Sequence, residues 1–234
     1  MLSVLLLPGL ACDAELFRHQ QASLAEAHRV QVSDVHAREA TLPAMAARLL
    51  TEHDGPLVLA GCSMGGMLAL EVWRQAPARV QGLALLGSTA RPDPPARLRL
   101  RSEAIALFEQ GRMDEVLRAS MMLAFHPRHA ADRVLRNDYL AMARRAGARQ
   151  LIAQNRAVMA REDLRPWLAG IRCPLRLLVG DSDRLAPLEC SQEIADAVPG
   201  ASLTVLKDCG HMPTWEQPAA VTVALQEWLA GLSA

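Results

Sequence analysis

Short apolar runs, each closed by turn residues and separated by helical patterns, restrict this chain to one class of fold. Residues 2–7 stop at Pro8-Gly9, 56–60 at Gly61, 80–86 at Gly87 and 175–179 at Gly180. Residues 202–206 form a fifth run, and 28–32, ahead of Ser33-Asp34, a sixth. Runs this short and this apolar suit parallel strands covered on both faces. Between them, 42–51 places Leu42, Met45, Ala46, Leu49 and Leu50 on one helical face, and 65–75 directly follows the second run. Residues 188–197 and 218–232 follow the fourth and fifth runs. Pro218 sits where a first-turn proline is tolerated, and Trp228 and Leu232 share a face. This alternation predicts an α/β, doubly wound, mainly parallel sheet of about six strands.

Residues 91–165 break the alternation. The stretch opens on Pro92-Asp93-Pro94-Pro95 and then reads as three or four helices with no strand between them. It is too long for a crossover loop and is predicted to be an inserted helical cap. Residues 1–90 and 166–234 then form the core. Among 91–165 are 15 Arg against 9 acids, whereas the whole chain balances 25 Lys+Arg against 25 Asp+Glu. Such asymmetry suits an anionic ligand or an acidic partner at the cap, or else a solvated Arg-rich surface.

The overall charge balance excludes a polybasic nucleic-acid binder. About half the residues are apolar, which excludes disorder as a description of the whole chain. No apolar run reaches the roughly 18–20 residues that a membrane span needs. Residues 1–7 lack a basic start and are cut short by Pro8-Gly9, so a buried strand is expected there rather than a signal peptide. The five cysteines are odd in number with no C-x-x-C spacing, which predicts reduced, buried thiols in a cytoplasm. The four tryptophans, Trp73, Trp167, Trp215 and Trp228, are expected in the core, with Trp215 alternatively at a pocket edge. His126 and His129 flank Pro127 without a ligand-dense spacing, so no metal is expected.

One motif carries chemistry. Gly61-Cys62-Ser63-Met64-Gly65-Gly66 is G-x-S-x-G between a strand and a helix. A strand that turns abruptly into a helix leaves no room for side chains two residues either side of the tip. The tip hydroxyl then stands exposed at a helix N-terminus, where partial positive charge favours an anion. Serine is a poor nucleophile unless a histidine takes its proton and an acid orients that histidine. Both should lie after later strands. His211 follows the fifth run, in Cys209-Gly210-His211. Asp181 and Asp183 follow the fourth, and spacing alone leaves either open.

With these motifs the chain resembles the α/β-hydrolase superfamily, in its small capped esterase-like branch. The matches are Pro8-Gly9-Leu10, 61–66, 161–187 and 209–213, and they span nearly the whole chain except the cap. The resemblance implies G-x-x-D-x-x-x-P at Gly180, Asp183 and Pro187, which selects Asp183. It further implies an oxyanion hole from the backbone N–H groups of Met64 and Leu10. Here Pro8-Gly9 stands where relatives often have His-Gly, so the hydrogen bonds that support this loop must differ. The family also usually starts with an antiparallel hairpin, and this chain starts at the next strand.

The expected activity is therefore hydrolysis of a small or medium acyl ester through Ser63, His211 and Asp183, without metal or organic cofactor. An acidic carrier protein docking at the basic cap is one alternative. Carbon–carbon bond hydrolysis or lysis, with cap arginines binding substrate carboxylates, is another, and a non-catalytic ligand-binding protein of the same fold is the third. A monomer or loose homodimer is expected.

Overall fold

The computed structural model describes residues 1–232. Six strands, β1 (Ser3–Leu7), β2 (Arg29–Val32), β3 (Leu57–Cys62), β4 (Val80–Leu86), β5 (Leu175–Gly180) and β6 (Ser202–Leu206), form one sheet in the order β2-β1-β3-β4-β5-β6. Every neighbouring pair is parallel. The eight longer helices are α1 (Arg18–Leu24), α2 (Leu42–Glu52), α3 (Met64–Gln75), α4 (Pro95–Glu109), α5 (Met113–Ala124), α6 (Arg133–Met159), α7 (Leu188–Ala197) and α8 (Pro218–Leu232).

Strand side chains alternate between two cores, as the period of two requires. Val4, Leu6, Val58 and Ala60 face one, together with Leu24 of α1 and Val221, Leu225 and Leu229 of α8. Leu5, Leu7, Leu57 and Leu59 face the other, together with Leu49 of α2, Leu68 of α3 and Ile194 of α7. Each fully buried Leu or Val contributes about 1.5–3 kcal/mol. Helix α2 starts where Thr41 Oγ1 accepts the Ala44 N–H at 3.2 Å, with proline in its first turn.

Chain order on the sheet reverses between β1 and β3. In a doubly wound sheet the crevice outside the carboxyl ends of the strands at that reversal is where ligands bind. The loop after β1 and the turn after β3 stand there together.

Between β4 and β5 the chain carries α4, α5, a short helix at Pro127–Ala130, and α6. Gly147 breaks α6 with non-helical φ 71° and ψ 160°. The same positive φ costs glycine nothing, and it lets one continuous segment change direction. Trp167 departs from expectation: it is 52% exposed, with the Arg74 guanidinium 5.9 Å from its ring centre, whereas Trp73, Trp215 and Trp228 are buried. The turn at Ala14–Phe17 and helix α1 bury Leu16, Phe17, Gln20 and Leu24 at helical spacing, a stripe that the expectations from sequence did not include, and Asp13 caps that turn by accepting the Glu15 N–H. Cys12, Cys62, Cys190 and Cys209 are buried, Cys173 is half-buried, and all five are free. Among the described residues no helix is long and apolar enough to cross a membrane.

Candidate active site

Ser63 stands alone between β3 and α3 with φ 54° and ψ −115°, a conformation L-residues rarely adopt. Three glycines make the turn possible. A Cβ on Gly61 would overlap the backbone of Gly65, and one on Gly65 would overlap the Leu7 carbonyl at the end of β1. Gly65 thus makes room for the first strand as well as for the turn. Gly66, which the spacing argument did not need, lies against Ser88, whose hydroxyl donates to Ser63 O at 2.8 Å. The Ser63 N–H donates to Leu86 O at 2.9 Å, so the β3–β4 ladder holds the turn up to its tip.

His211 Nε2 lies 2.8 Å from Ser63 Oγ. Its Nδ1 lies 2.9 and 2.8 Å from the two carboxylate oxygens of Asp183. A proton on Nδ1 satisfies the carboxylate and leaves Nε2 free to accept from the serine hydroxyl. Asp183 is itself held: its Oδ1 accepts the N–H groups of Leu185 at 2.9 Å and Ala186 at 2.8 Å, and its side chain is wholly buried. Among the described residues no hydrogen bond or ion pair joins Asp181 to His211. It accepts the N–H groups of Asp208 at 3.1 Å and Cys209 at 3.3 Å, and so shapes the loop that carries the histidine. Of the two acids the sequence left open, Asp183 is the one in contact with His211.

The loop after β1 runs beside this turn. A Cβ on Gly9 would meet Cys62 O at 3.2 Å and Ser63 Cβ at 3.4 Å, which brings Leu10 and Met64 to the same edge. Besides its own bond from the Cys12 N–H to Gly9 O at 3.2 Å, the loop takes hydrogen bonds from elsewhere in the chain. Gln154 Oε1 accepts the Ala11 N–H at 3.0 Å, and His36 Nε2 lies 2.8 Å from Cys12 O. Burial holds the His36 imidazole below its ordinary pKa.

Glu216 is the other residue that sequence reasoning missed. Its carboxylate accepts N–H groups from Gly210 at 3.0 Å and Met212 at 3.1 Å, on both sides of His211, and from His126 at 2.8 Å. Burial pushes this carboxyl above its usual range despite those donors. The sole hint in the sequence is an acid at the end of the apolar segment that follows His211. Gly87, just after β4 with φ 52°, faces Asp183 and His211 directly. Among the described residues no three His, Cys, Asp or Glu side chains are placed to hold a metal ion.

A wholly parallel doubly wound sheet, with a strained serine at the strand–helix turn and a His–Asp pair on later loops, defines a class. Residues 4–225 match the model of the alpha/beta hydrolase family. The chain belongs to that family and is a hydrolase of that fold. Among its relatives is the pimeloyl-[acyl-carrier protein] methyl ester esterase of Aromatoleum aromaticum, 29% identical over 83% of this chain and 82% of that one. Among solved structures, a thermophilic esterase from Thermogutta terrifontis, determined with malate bound, is 28% identical with a TM-score of 0.91 and covers 100% of this chain and 91% of its own. The enol-lactonase from Burkholderia xenovorans LB400 shares the fold at 22% identity with a TM-score of 0.89, over 97% of this chain and 91% of its own.

Proposed function

We propose that this chain is a carboxylesterase that cleaves small or medium acyl esters through an acyl-enzyme on Ser63. The observation that carries the reading is the unbroken contact chain from Ser63 Oγ through both nitrogens of His211 to the buried Asp183 carboxylate. His211 Nε2 removes the serine proton as Oγ attacks the ester carbonyl. Asp183 keeps the proton on Nδ1 and stabilises the imidazolium. The negative oxygen of the tetrahedral intermediate is held by the N–H groups of Leu10 and Met64. Met64 is the first residue of α3, where the helix leaves its N–H without an internal acceptor. Among the described residues no backbone carbonyl accepts the Leu10 N–H. His211 then gives its proton to the departing alcohol and activates water to release the acid. The helical stretch 91–165 serves as the cap over the site. The five free cysteines accord with a cytoplasmic enzyme.

Hydrolysis of p-nitrophenyl esters from acetate to decanoate, with Ser63→Ala as control, tests this. Turnover that depends on chain length and disappears in Ser63→Ala is expected. Turnover that survives in Ser63→Ala would overturn the assignment of the nucleophile, and a wild type inert to the whole series would overturn the esterase reading.

A second reading concerns the form of the substrate. Arg99, Arg128, Arg133 and Arg149 are exposed and form no ion pair among the described residues, while most other arginines of the stretch are paired. Unpaired cations suit an acidic carrier protein that delivers its acyl chain, and a relative's name refers to such a carrier. Turnover of a carrier-linked ester should then fall steeply as salt rises from 50 to 300 mM, where screening shortens to below about 10 Å. Turnover of a free p-nitrophenyl ester should stay nearly constant.

A further inference from the structure

The loop after β1 reaches the site with a strained residue and with hydrogen bonds from outside itself. Ala11 has φ 66°, in the left-handed region that disfavours any residue with a Cβ. The turn's own hydrogen bond, Cys12 N–H to Gly9 O, is long at 3.2 Å. Two side chains from distant elements grip the loop at consecutive residues, the Ala11 N–H and the Cys12 carbonyl. Gln154, 1% exposed and 143 positions away, accepts the Ala11 N–H through Oε1 at 3.0 Å. Its Nε2 donates to His36 O at 3.1 Å. The His36 ring closes the circuit from Nε2 to Cys12 O at 2.8 Å, and because a carbonyl can only accept, that nitrogen carries the proton.

The Gln154 amide therefore has no freedom to turn over. Its oxygen is committed to Ala11 and its nitrogen to His36. Fixing the Ala11 N–H fixes the peptide that joins Leu10 to Ala11, and with it the backbone of Leu10 on one side. The Leu10 N–H is one peptide upstream. Gln154 itself lies in the half of α6 beyond Gly147, where the helix changes direction.

We infer that Gln154 is a positioning residue for the reaction: by holding the Ala11 peptide it aims the Leu10 N–H at the developing oxyanion. The inference rests on the esterase reading and on Leu10 as a donor. It makes the helical stretch 91–165 part of the oxyanion machinery as well as a cover for it.

The test uses the full chain with p-nitrophenyl butyrate and a butylboronic acid as tetrahedral mimic. Outright loss of an oxyanion donor costs about 10²–10³ in rate, and a misaimed donor keeps part of its effect. Gln154→Met, similar in shape but without acceptor or donor, should lower kcat about 10–100-fold and weaken the boronate to a similar degree, with KM within about threefold. Burial favours the neutral carboxyl in Gln154→Glu, whose O–H can replace Nε2 toward His36 O while its other oxygen accepts from Ala11, and this variant should retain kcat within about fivefold of wild type. If Gln154→Met does not fold, Gln154→Asn, whose amide is one methylene short of Ala11, takes its place with the same expected loss. A folded Gln154→Met or Gln154→Asn with kcat within twofold of wild type overturns the inference alone. So does a folded Gln154→Glu as impaired as the Met variant. A wild type without turnover that depends on Ser63 overturns the esterase reading, and the inference falls with it.

Discussion

Gly87→Ala is the most direct probe of how closely the fold is built around the Asp183–His211 pair. Gly87 directly follows β4 with φ 52°, and its N–H donates to Leu178 O at 2.8 Å, so the backbone is pinned. A Cβ there would lie 2.9 Å from Asp183 Oδ2 and 3.2 Å from His211 Nδ1. The left-handed conformation alone costs a residue with a Cβ about 1–2 kcal/mol. The carboxylate cannot simply step aside, because its other oxygen accepts from Leu185 and Ala186 and its side chain is wholly buried. Surrendering one hydrogen bond to a charged group costs about 1.5–3 kcal/mol more. The sum, about 2.5–5 kcal/mol, lowers Tm by roughly 5–20 °C for a chain of this size. If the strain is relieved by weakening the His211–Asp183 contact, kcat falls about 10–100-fold, since 1.4 kcal/mol is tenfold in rate. Gly55→Ala separates the two contributions: Gly55 has φ 78° with nothing within 4 Å of its Cβ position. It should lose stability by the conformational part alone and keep full turnover. Thermal unfolding and p-nitrophenyl butyrate kinetics on both variants decide the matter. A Gly87→Ala protein within 2 °C and twofold of wild type would refute the packing argument.

Three further outcomes follow from the same geometry. Asp183→Asn should cost about 10⁴ in kcat by favouring the wrong histidine tautomer, whereas Asp181→Asn should stay within about tenfold; equal losses would mean that the acid is misassigned. Burial pushes the Cys12 thiol to about 12 and the half-buried Cys173 to about 11, so Ellman's reagent at pH 7.5 should react slowly with the folded protein and rapidly with five thiols after denaturation. The folded state raises the Glu216 carboxyl above its unfolded value and so binds that proton more readily than the unfolded chain. Its contribution to stability is full at low pH and is lost as pH rises through the folded value. The Tm of wild type minus that of Glu216→Gln should therefore be larger at pH 4.5 than at pH 8, and a difference that grows with pH would contradict the assigned shift.

What was legible in the sequence follows from which interactions are local. Strands β4 and β6 and helices α7 and α8 have the bounds expected from the sequence, because apolar runs and closing turn residues are properties of neighbours in the chain. Although the space at Gly65 is demanded by Leu7 and Pro8 far back in the chain, the serine turn was legible for the same reason at Gly61, whose space is demanded by Gly65 and Gly66 within five residues. The partners of Gln154 and Glu216 were not. A polar residue in a helix or loop is indistinguishable from a solvated one until the fold brings a backbone N–H from 143 or 90 positions away. Trp167 shows the opposite error, since its size argued for burial and its place on a short 3₁₀ segment left it half outside beside Arg74.

These long-range contacts bear on how the stretch 91–165 acts. Its helix α5 ends against the loops that carry the acid and the histidine. Ala124 O accepts the N–H of His211 itself at 2.6 Å, Met122 O accepts from Arg184 beside Asp183, and the His126 N–H donates to Glu216. Gly210 permits that approach, because a Cβ there would press on Ala124 O and His126 N at 2.6 and 2.5 Å. Its helix α6 meanwhile reaches the loop after β1 through Gln154. The stretch 91–165 thus contacts backbone on both sides of Ser63, at His211 and at the loop after β1. On the proposed reading of 91–165 as a cap, a rigid-body shift of the whole stretch would disturb both sets of contacts. On that reading opening for substrate is expected to fall on the parts of 91–165 between these joints, and substitutions at the joints are expected to register in kcat before they register in KM.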